Sequence, residues 1–184
     1  MATIIDGYNL LHASGILPRG IGPGGLERSR KALLNFLIES LPAEEIARTT
    51  VVFDASEAPW GAARTLDFEG ITVRFAARDT DADSVIEDLI LEDSAPKRLT
   101  IVSSDHRLHR AAKRRKATPI DSDLWFAQIV RQRRDRTSPG AKETETAKPE
   151  GPFSPGEVEF WLAKFAPPEK KGAKPDHVRR KDGG

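Results

Sequence analysis

Ala2-Thr3-Ile4-Ile5-Asp6-Gly7-Tyr8-Asn9 opens the chain with a short apolar run that stops at an aspartate and a glycine. Such a run, rich in β-branched residues and bounded by a breaker, reads as a buried strand over residues 2–6, with Gly7-Tyr8-Asn9 as the turn that leaves it. Further runs of the same kind follow at residues 50–54 (TVVFD), 71–76 (ITVRFA) and 99–103 (LTIVS), with a short fifth at 117–120. Between them the apolar period changes to that of a helix. Residues 26–41 place Leu26, Leu33, Leu34, Leu37 and Leu41 on one face, with Phe36 flanking it. Pro42 ends that helix. Residues 81–93 read as a helix facing Val85, Ile86, Leu89 and Ile90 inward, and residues 106–115 as a basic helix. Asp121 or Ser122 caps a last helix that runs to about Arg133. Residues 18–25 are a glycine- and proline-rich loop, and residues 55–69, with Pro59-Trp60-Gly61, an exposed one.

Strands that alternate with helices imply an α/β fold: a doubly wound, mainly parallel sheet with helices on both faces. In such sheets the functional crevice lies beyond the carboxyl ends of the strands. Asp6, Asp54 and Asp105 all fall at or just past a strand end.

Composition narrows the chemistry. The 184 residues suit one core with added segments. The absence of cysteine removes disulfides, iron–sulfur clusters and thiolate zinc sites. No apolar window is long enough to span a membrane. The first residues lack a basic, cleavable leader, so a cytoplasmic location is expected. The net charge of +1 hides an asymmetry. Acids crowd residues 79–93, and Lys and Arg crowd 107–116 and 131–136. That pattern suits a cation held beside a polyanion, and it also suits ordinary solvated surface.

From about Thr137 the composition shifts to Pro, Gly, Thr, Lys and Glu. Residues 137–153 read as a disordered linker. Residues 154–166 read as a short amphipathic helix, capped by Ser154 and carrying Phe160 and Trp161, too short to stand alone. Residues 167–184 read as a disordered basic tail.

Each acidic candidate has two readings. Three or four carboxylates from different strand ends suit Mg²⁺ or Mn²⁺, which prefer oxygen ligands. Such an ion can activate water and steady the charge of a phosphodiester under displacement. Asp6 reads as a ligand, or as a helix cap or ion-pair partner; Asn9 would orient it. Asp83 and Glu87 share a helix face at i, i+4, where their repulsion is relieved by a cation. The macrodipole alone accounts for Asp81 and Asp83, but not for Glu87. Asp105 follows Ser103-Ser104, whose hydroxyls can hold it ionised; the alternative is a cap for the next helix. Asp54 either supports the site or caps a turn. His12, His106, His109 and His177 form no zinc spacing, and His109 reads best as a solvated helix position. No phosphate-binding glycine loop stands between a strand and a helix.

Ile4-Ile5-Asp6-Gly7-Tyr8-Asn9, Val51-Val52-Phe53-Asp54, Asp81-Ala82-Asp83-Ser84-Val85-Ile86-Glu87 and Val102-Ser103-Ser104-Asp105 together resemble the YacP-like branch of the NYN domains, in the PIN-like nuclease superfamily. The resemblance covers about residues 1–130 and stops short of the tail. It implies a PIN-like nuclease domain over residues 1–136, a divalent-metal acidic site and endoribonuclease activity. It carries metal and catalytic roles onto Asp6, Asp83 and Asp105, with Asn9 as a supporting polar group. Glu87, Ser104, Asp54 and Asp81 are placed around them. Two positions depart from the family pattern: Asp81 stands where threonine is usual, and His109 where some relatives carry a further acid.

The expectation is therefore a metal-dependent endoribonuclease that hydrolyses phosphodiester bonds of RNA, messenger or ribosomal. Arg107, Arg110, Lys113, Arg114, Arg115 and Lys116 would hold the backbone. Trp60 or Tyr8 would stack on a base. The rivals are an RNA-binding module with a degenerate site and a metal-dependent phosphatase, the latter expected to show a deep pocket and no basic track.

Overall fold

In a computed structural model, which describes residues 1–16, 24–54, 64–77 and 79–137, the apolar runs become strands of one sheet and the amphipathic segments pack on its two faces. In chain order the elements are β1 (Ala2–Asp6), α1 (Gly7–Ser14), α2 (Gly25–Ser40), α3 (Ala43–Ile46), β2 (Thr49–Phe53), β3 (Thr65–Phe68), β4 (Ile71–Phe75), α4 (Ala82–Glu92), β5 (Leu99–Val102), α5 (His106–Arg114), β6 (Thr118–Ile120) and α6 (Ser122–Thr137). Among the described residues the sheet has six strands in the order β3-β4-β2-β1-β5-β6. All neighbours are parallel except β3 and β4. The chain lays β2 and β4 to one side of β1, then returns through α4 to place β5 and β6 on the other. The winding thus reverses between β1 and β5, where a doubly wound sheet opens its crevice.

Alternation along the strands sorts side chains between two cores. Ile5, Val51, Phe53, Val73 and Val102 pack with Leu10 of α1, Leu33 and Leu37 of α2 and Phe126 of α6. Ile4, Val52, Leu99 and Ile101 pack with Ile86 and Ile90 of α4 and with Leu108 and Ala112 of α5. Ile86 and Ile90 are both fully shielded, and burial of each contributes about 1.5–3 kcal/mol to docking α4. Val85 and Leu89, expected to face inward with them, are only partly buried. Pro119, which has no N–H, sits on β6, an edge strand that tolerates it.

Three elements differ from the sequence reading. Gly7-Tyr8-Asn9 is not a turn but the first turn of α1, because Asp6 caps the helix directly from the strand end. Residues 65–68 are not loop but β3, hairpinned to β4 through Glu69-Gly70. Both turn residues have positive φ, 49° and 95°, the signature of a type I′ turn. Asp67 Oδ1 accepts from Gly70 N at 3.2 Å and closes the turn. Glutamate is an uncommon residue for that first position, so the turn signal was weak. The last helix, expected to stop near Arg133, extends to Thr137. Trp60 and the expected linker, amphipathic helix and basic tail beyond residue 137 lie outside the described residues.

Gly7 explains its own identity. A Cβ built there would meet three atoms of the Phe53 ring, all closer than two carbons can stand. The Phe53 ring is itself held edge-on by Tyr8, at 5.4 Å between centroids, and by the buried Arg30 guanidinium 5.9 Å above it. It therefore cannot yield cheaply. Gly7→Ala should destabilise the fold by about 1–3 kcal/mol, the usual cost of overpacking a filled core. Urea unfolding checks this; an unchanged midpoint would mean that α1 and Phe53 are not locked together.

Candidate active site

Side-chain alternation delivers the polar residues to the same place as the second core. Ile4, Val52 and Ile101 face α4 and α5. Two residues further along each strand the same face carries Asp6, Asp54 and Ser103. The apolar pattern thus ends, on one face and at one edge, in three oxygen-bearing side chains beneath the start of α4.

Ser103 is fully buried, and Asp6 is buried at 4% exposure. Its Oδ1 accepts from Asn9 N at 3.1 Å, the cap of α1. Its Oδ2 accepts from Asn9 Nδ2 at 2.5 Å and from Ser103 Oγ at 3.1 Å. Burial pushes its pKa above the usual carboxylate range, and these donors partly offset the shift. The sequence reading set Ser103 beside Asp105 and not beside Asp6, although strand alternation places it on the Asp6 face. Its hydroxyl also accepts from Asp105 N at 3.0 Å, so it ties the end of β1 to the loop after β5. The half-buried His109 ring meets the Ser103 carbonyl at 2.5 Å, rather than standing in solvent as expected.

The serines do not bond the Asp105 carboxylate, contrary to the sequence reading. Ser104 Oγ instead accepts from Ser122 N at the start of α6, at 3.3 Å. Asp105 caps α5, its Oδ1 accepting from Arg107 N. Asp81 caps α4 in the same way through Ser84 N at 2.7 Å, which holds its pKa low. Asp54 Oδ1 accepts from Ala82 N at 2.7 Å and so pins the first turn of α4 to the end of β2. At Asp54, Asp81 and Asp105 the bond to the backbone N–H uses one carboxylate oxygen, so capping does not by itself exclude a second role.

Asp83 is different. Among the described residues no hydrogen bond reaches its side chain. Partial burial, then the charges of Asp6, Asp105 and Asp81, raise its pKa to about 6, opposed only by Arg107. An unpartnered carboxyl among three others, in an all-oxygen setting, fits a hard divalent cation in charge and donor type. Among the described residues no three His, Asp or Glu side chains already stand close enough to hold an ion between them.

The basic residues divide. Arg110, Lys113 and Arg114 are exposed on α5, and Lys116 just past its end. Arg115 is not available in the same way: its guanidinium donates to the carbonyls of Ile90 (3.4 Å), Leu91 (3.2 Å) and Asp93 (3.0 Å), capping the end of α4. Arg107 is bound to Glu87. The second basic run lies on α6, across the sheet from α5. There Arg133 pairs with Glu39 at 3.5 Å and Arg136 donates to the Ser40 carbonyl. The two runs therefore do not form one track on one face.

Two outcomes follow. Arg115→Ala should cost about 1–2 kcal/mol of stability, because charge-assisted bonds to helix-end carbonyls are lost; urea unfolding reads this directly. Asp83 has a folded-state pKa above its unfolded value, so the native state binds the extra proton between about pH 4 and pH 6. Stability then falls as pH rises through that window, and the penalty is complete above it. Asp83→Asn removes it, worth about 1 kcal/mol after discounting for solvent screening. The variant should melt about 2–4 °C higher than wild type at pH 7.5 and at the same temperature near pH 4. An equal Tm at both pH values would show that Asp83 is not under this strain.

Crystal structures of Rae1 (YacP) from Bacillus subtilis share this fold. One superposes with a TM-score of 0.60 at 21% identity, over 76% of this chain and 79% of that one. A tryptophan-to-leucine variant gives 0.57 at 20%, over 90% and 92%. No curated protein matches the sequence significantly. The sequence profile of the YacP-like NYN domain matches residues 3–159, well past the region of about residues 1–130 that the sequence reading assigned to the resemblance. The chain belongs to the YacP-like NYN domain family.

Proposed function

We propose that this protein is a divalent-metal-dependent endoribonuclease. The observation that carries the reading is the unpartnered Asp83 beside Asp6 and Asp105 at the switch point of the sheet. The helix that Asp105 caps starts at the acids and runs back toward the amino ends of the strands, with Arg110, Lys113 and Arg114 exposed along it and Lys116 exposed just past its end. An acidic crevice at the head of a basic helix suits a hard cation next to a phosphodiester backbone. Membership of a family with a nuclease-type fold supports the same reading.

Asp6, Asp83 and Asp105 would hold the ion, Mg²⁺ or Mn²⁺. When bound, it would supply positive charge and Lewis acidity at the reacting phosphate. The chain's own part is to fix the acids. Asn9 and Ser103 keep Asp6 ionised and aimed, Asp54 anchors α4 and with it Asp83, and the cap of α5 sets Asp105. In the hydrolysis, a water oxygen bonds to phosphorus as the phosphorus–oxygen bond to one ribose breaks. The water gives up a proton and the departing oxygen takes one.

A binding module with a degenerate site is the second reading. What favours it is that the acids do not already stand at ligand spacing. A small-molecule phosphatase has less support: a pocket lined by Met1, Ala2, Arg48, Asp93, Ala95 and Arg98 lies at the amino ends of the strands, away from Asp6, Asp83 and Asp105. No helix of the described residues is long and apolar enough to cross a membrane.

The test is incubation of the protein with labelled RNA in Mn²⁺ or in EDTA. Cleavage in Mn²⁺ alone is expected; binding without cleavage would favour the degenerate site. Asparagine caps helices as well as aspartate does, so Asp105→Asn keeps its cap and loses only charge, whereas Asp6→Asn also replaces the Oδ2 acceptor of Asn9 and Ser103 with a donor. Each should lower cleavage by about 10²–10³-fold or more, with the urea midpoint unmoved in Asp105→Asn and lowered in Asp6→Asn. Mn²⁺ should also raise the Tm of wild type and not that of either variant. Full activity in both variants would refute the assignment of the acids.

A further inference from the structure

Arg107 stands apart from the other cations of α5. Its Nε donates to Glu87 Oε1 at 3.2 Å and its Nη2 to Glu87 Oε2 at 2.8 Å. Two parallel bonds of this kind fix the plane of a guanidinium, which a single contact does not. Nη2 also reaches Ser84 Oγ at 3.5 Å. Nη1 lies 3.9 Å from Asp81 Oδ2, beyond hydrogen-bond range. One edge of the fork is therefore committed to α4, while Nη1 makes no hydrogen bond among the described residues. The side chain is 43% exposed, so a polyanion can reach it.

Its position is as informative as its partner. Arg107 lies two residues beyond Asp105 and donates its backbone N–H to that carboxylate. Its positive charge opposes the acids around Asp83. It is thus the cation at the rim of the crevice, whereas Arg110, Lys113 and Arg114 lie further along the helix and Lys116 beyond its end. A phosphodiester approaching Asp6, Asp83 and Asp105 meets repulsion, and a fixed cation at the rim counters it where the reacting group must sit. Holding the fork in advance also reduces the side-chain entropy lost on contact. An isolated exposed ion pair would contribute only about 0–1 kcal/mol to stability, which gives Glu87 little purpose as a mere brace.

We propose that Arg107 is a catalytic residue that contacts the phosphate being cleaved, and that Glu87 is a positioning residue that aims it. The proposal rests on the ribonuclease reading and gives Arg107 a different job from that of a backbone-tracking residue.

The test compares Arg107→Ala, Glu87→Ala, the double variant and Arg107→Lys in the full chain. Three quantities are read: the single-turnover cleavage rate at saturating RNA in Mn²⁺, the Kd of a fluorescein-labelled single-stranded RNA in EDTA with its salt dependence, and the urea midpoint. Arg107→Ala should lower the saturated rate about 10²–10³-fold, as loss of a charge-stabilising donor does. Its Kd in EDTA should weaken only by what one phosphate contact supplies, with the salt slope reduced by about 1. Glu87→Ala should lower the rate about 10–100-fold in the wild-type background and not further once Arg107 is gone, because it acts only through Arg107. Arg107→Lys, which keeps the charge and loses the fork, should fall between, with the urea midpoint unmoved. A saturated rate unchanged in Arg107→Ala overturns the proposal, and so do losses that simply add. If wild type cleaves no RNA in Mn²⁺, the ribonuclease reading itself fails and the proposal falls with it. Wild-type cleavage with a silent Arg107→Ala sinks the proposal alone.

Discussion

The bond from Ser103 Oγ to the buried Asp6 carboxylate is the contact on which the other features hang. A carboxylate taken out of water needs donors, and burying it without them would cost several kcal/mol. Asp6 finds its donors in two directions at once. Asn9, on its own helix, supplies two, which makes the strand end also the start of α1. Ser103, 97 residues away, supplies the third and joins β1 to β5 at the point where the winding reverses. The same hydroxyl receives the Asp105 backbone N–H, so the second acid takes its place from the first. One solvation requirement thereby fixes a helix cap, a strand junction and the separation of two carboxylates.

Charge is arranged in the opposite spirit. Asp6 is well supplied with donors, but Asp83 is not: burial first, and then the charges of Asp6, Asp105 and Asp81, raise its proton affinity against the pull of Arg107. Carboxyls perturbed in this way cluster at functional sites. Glu87, on the same helix as Asp83, is fully engaged with Arg107. Two acids one helical turn apart therefore do different things because only one has a guanidinium opposite it.

Much of this arrangement was legible in the sequence. The β-branched runs ending in acids gave the parallel strands, the direction of the crevice and Asp6, Asp54 and Asp105 at their edge. The crossing partner that made Asp6 tolerable was harder to see, since Ser103 becomes visible only when alternation is followed past the strand end into a polar residue. β3 was missed because its hairpin turn uses Glu69 where an asparagine would have announced it. Arg115 and Arg107 counted as basic surface in one dimension. Only packing reveals that the first closes the end of α4 and the second grips Glu87, because such bonds depend on which helices become neighbours. The separation of α5 from α6 is of the same kind: charge runs say nothing about the face on which a helix lands.

The two margins of the sheet have a consequence for how the protein behaves in a crowded solution. An open strand is a template on which another molecule can extend a ladder. β6 is only three residues long and carries Pro119, which has no N–H to offer a newcomer. β3 has four residues and places the carboxylate of Asp67 at its turn. Both margins are short, and one is chemically blunted, so edge-to-edge growth of sheets between molecules has little to build on. Among the described residues, resistance to edgewise self-association is thus written into the outermost strands.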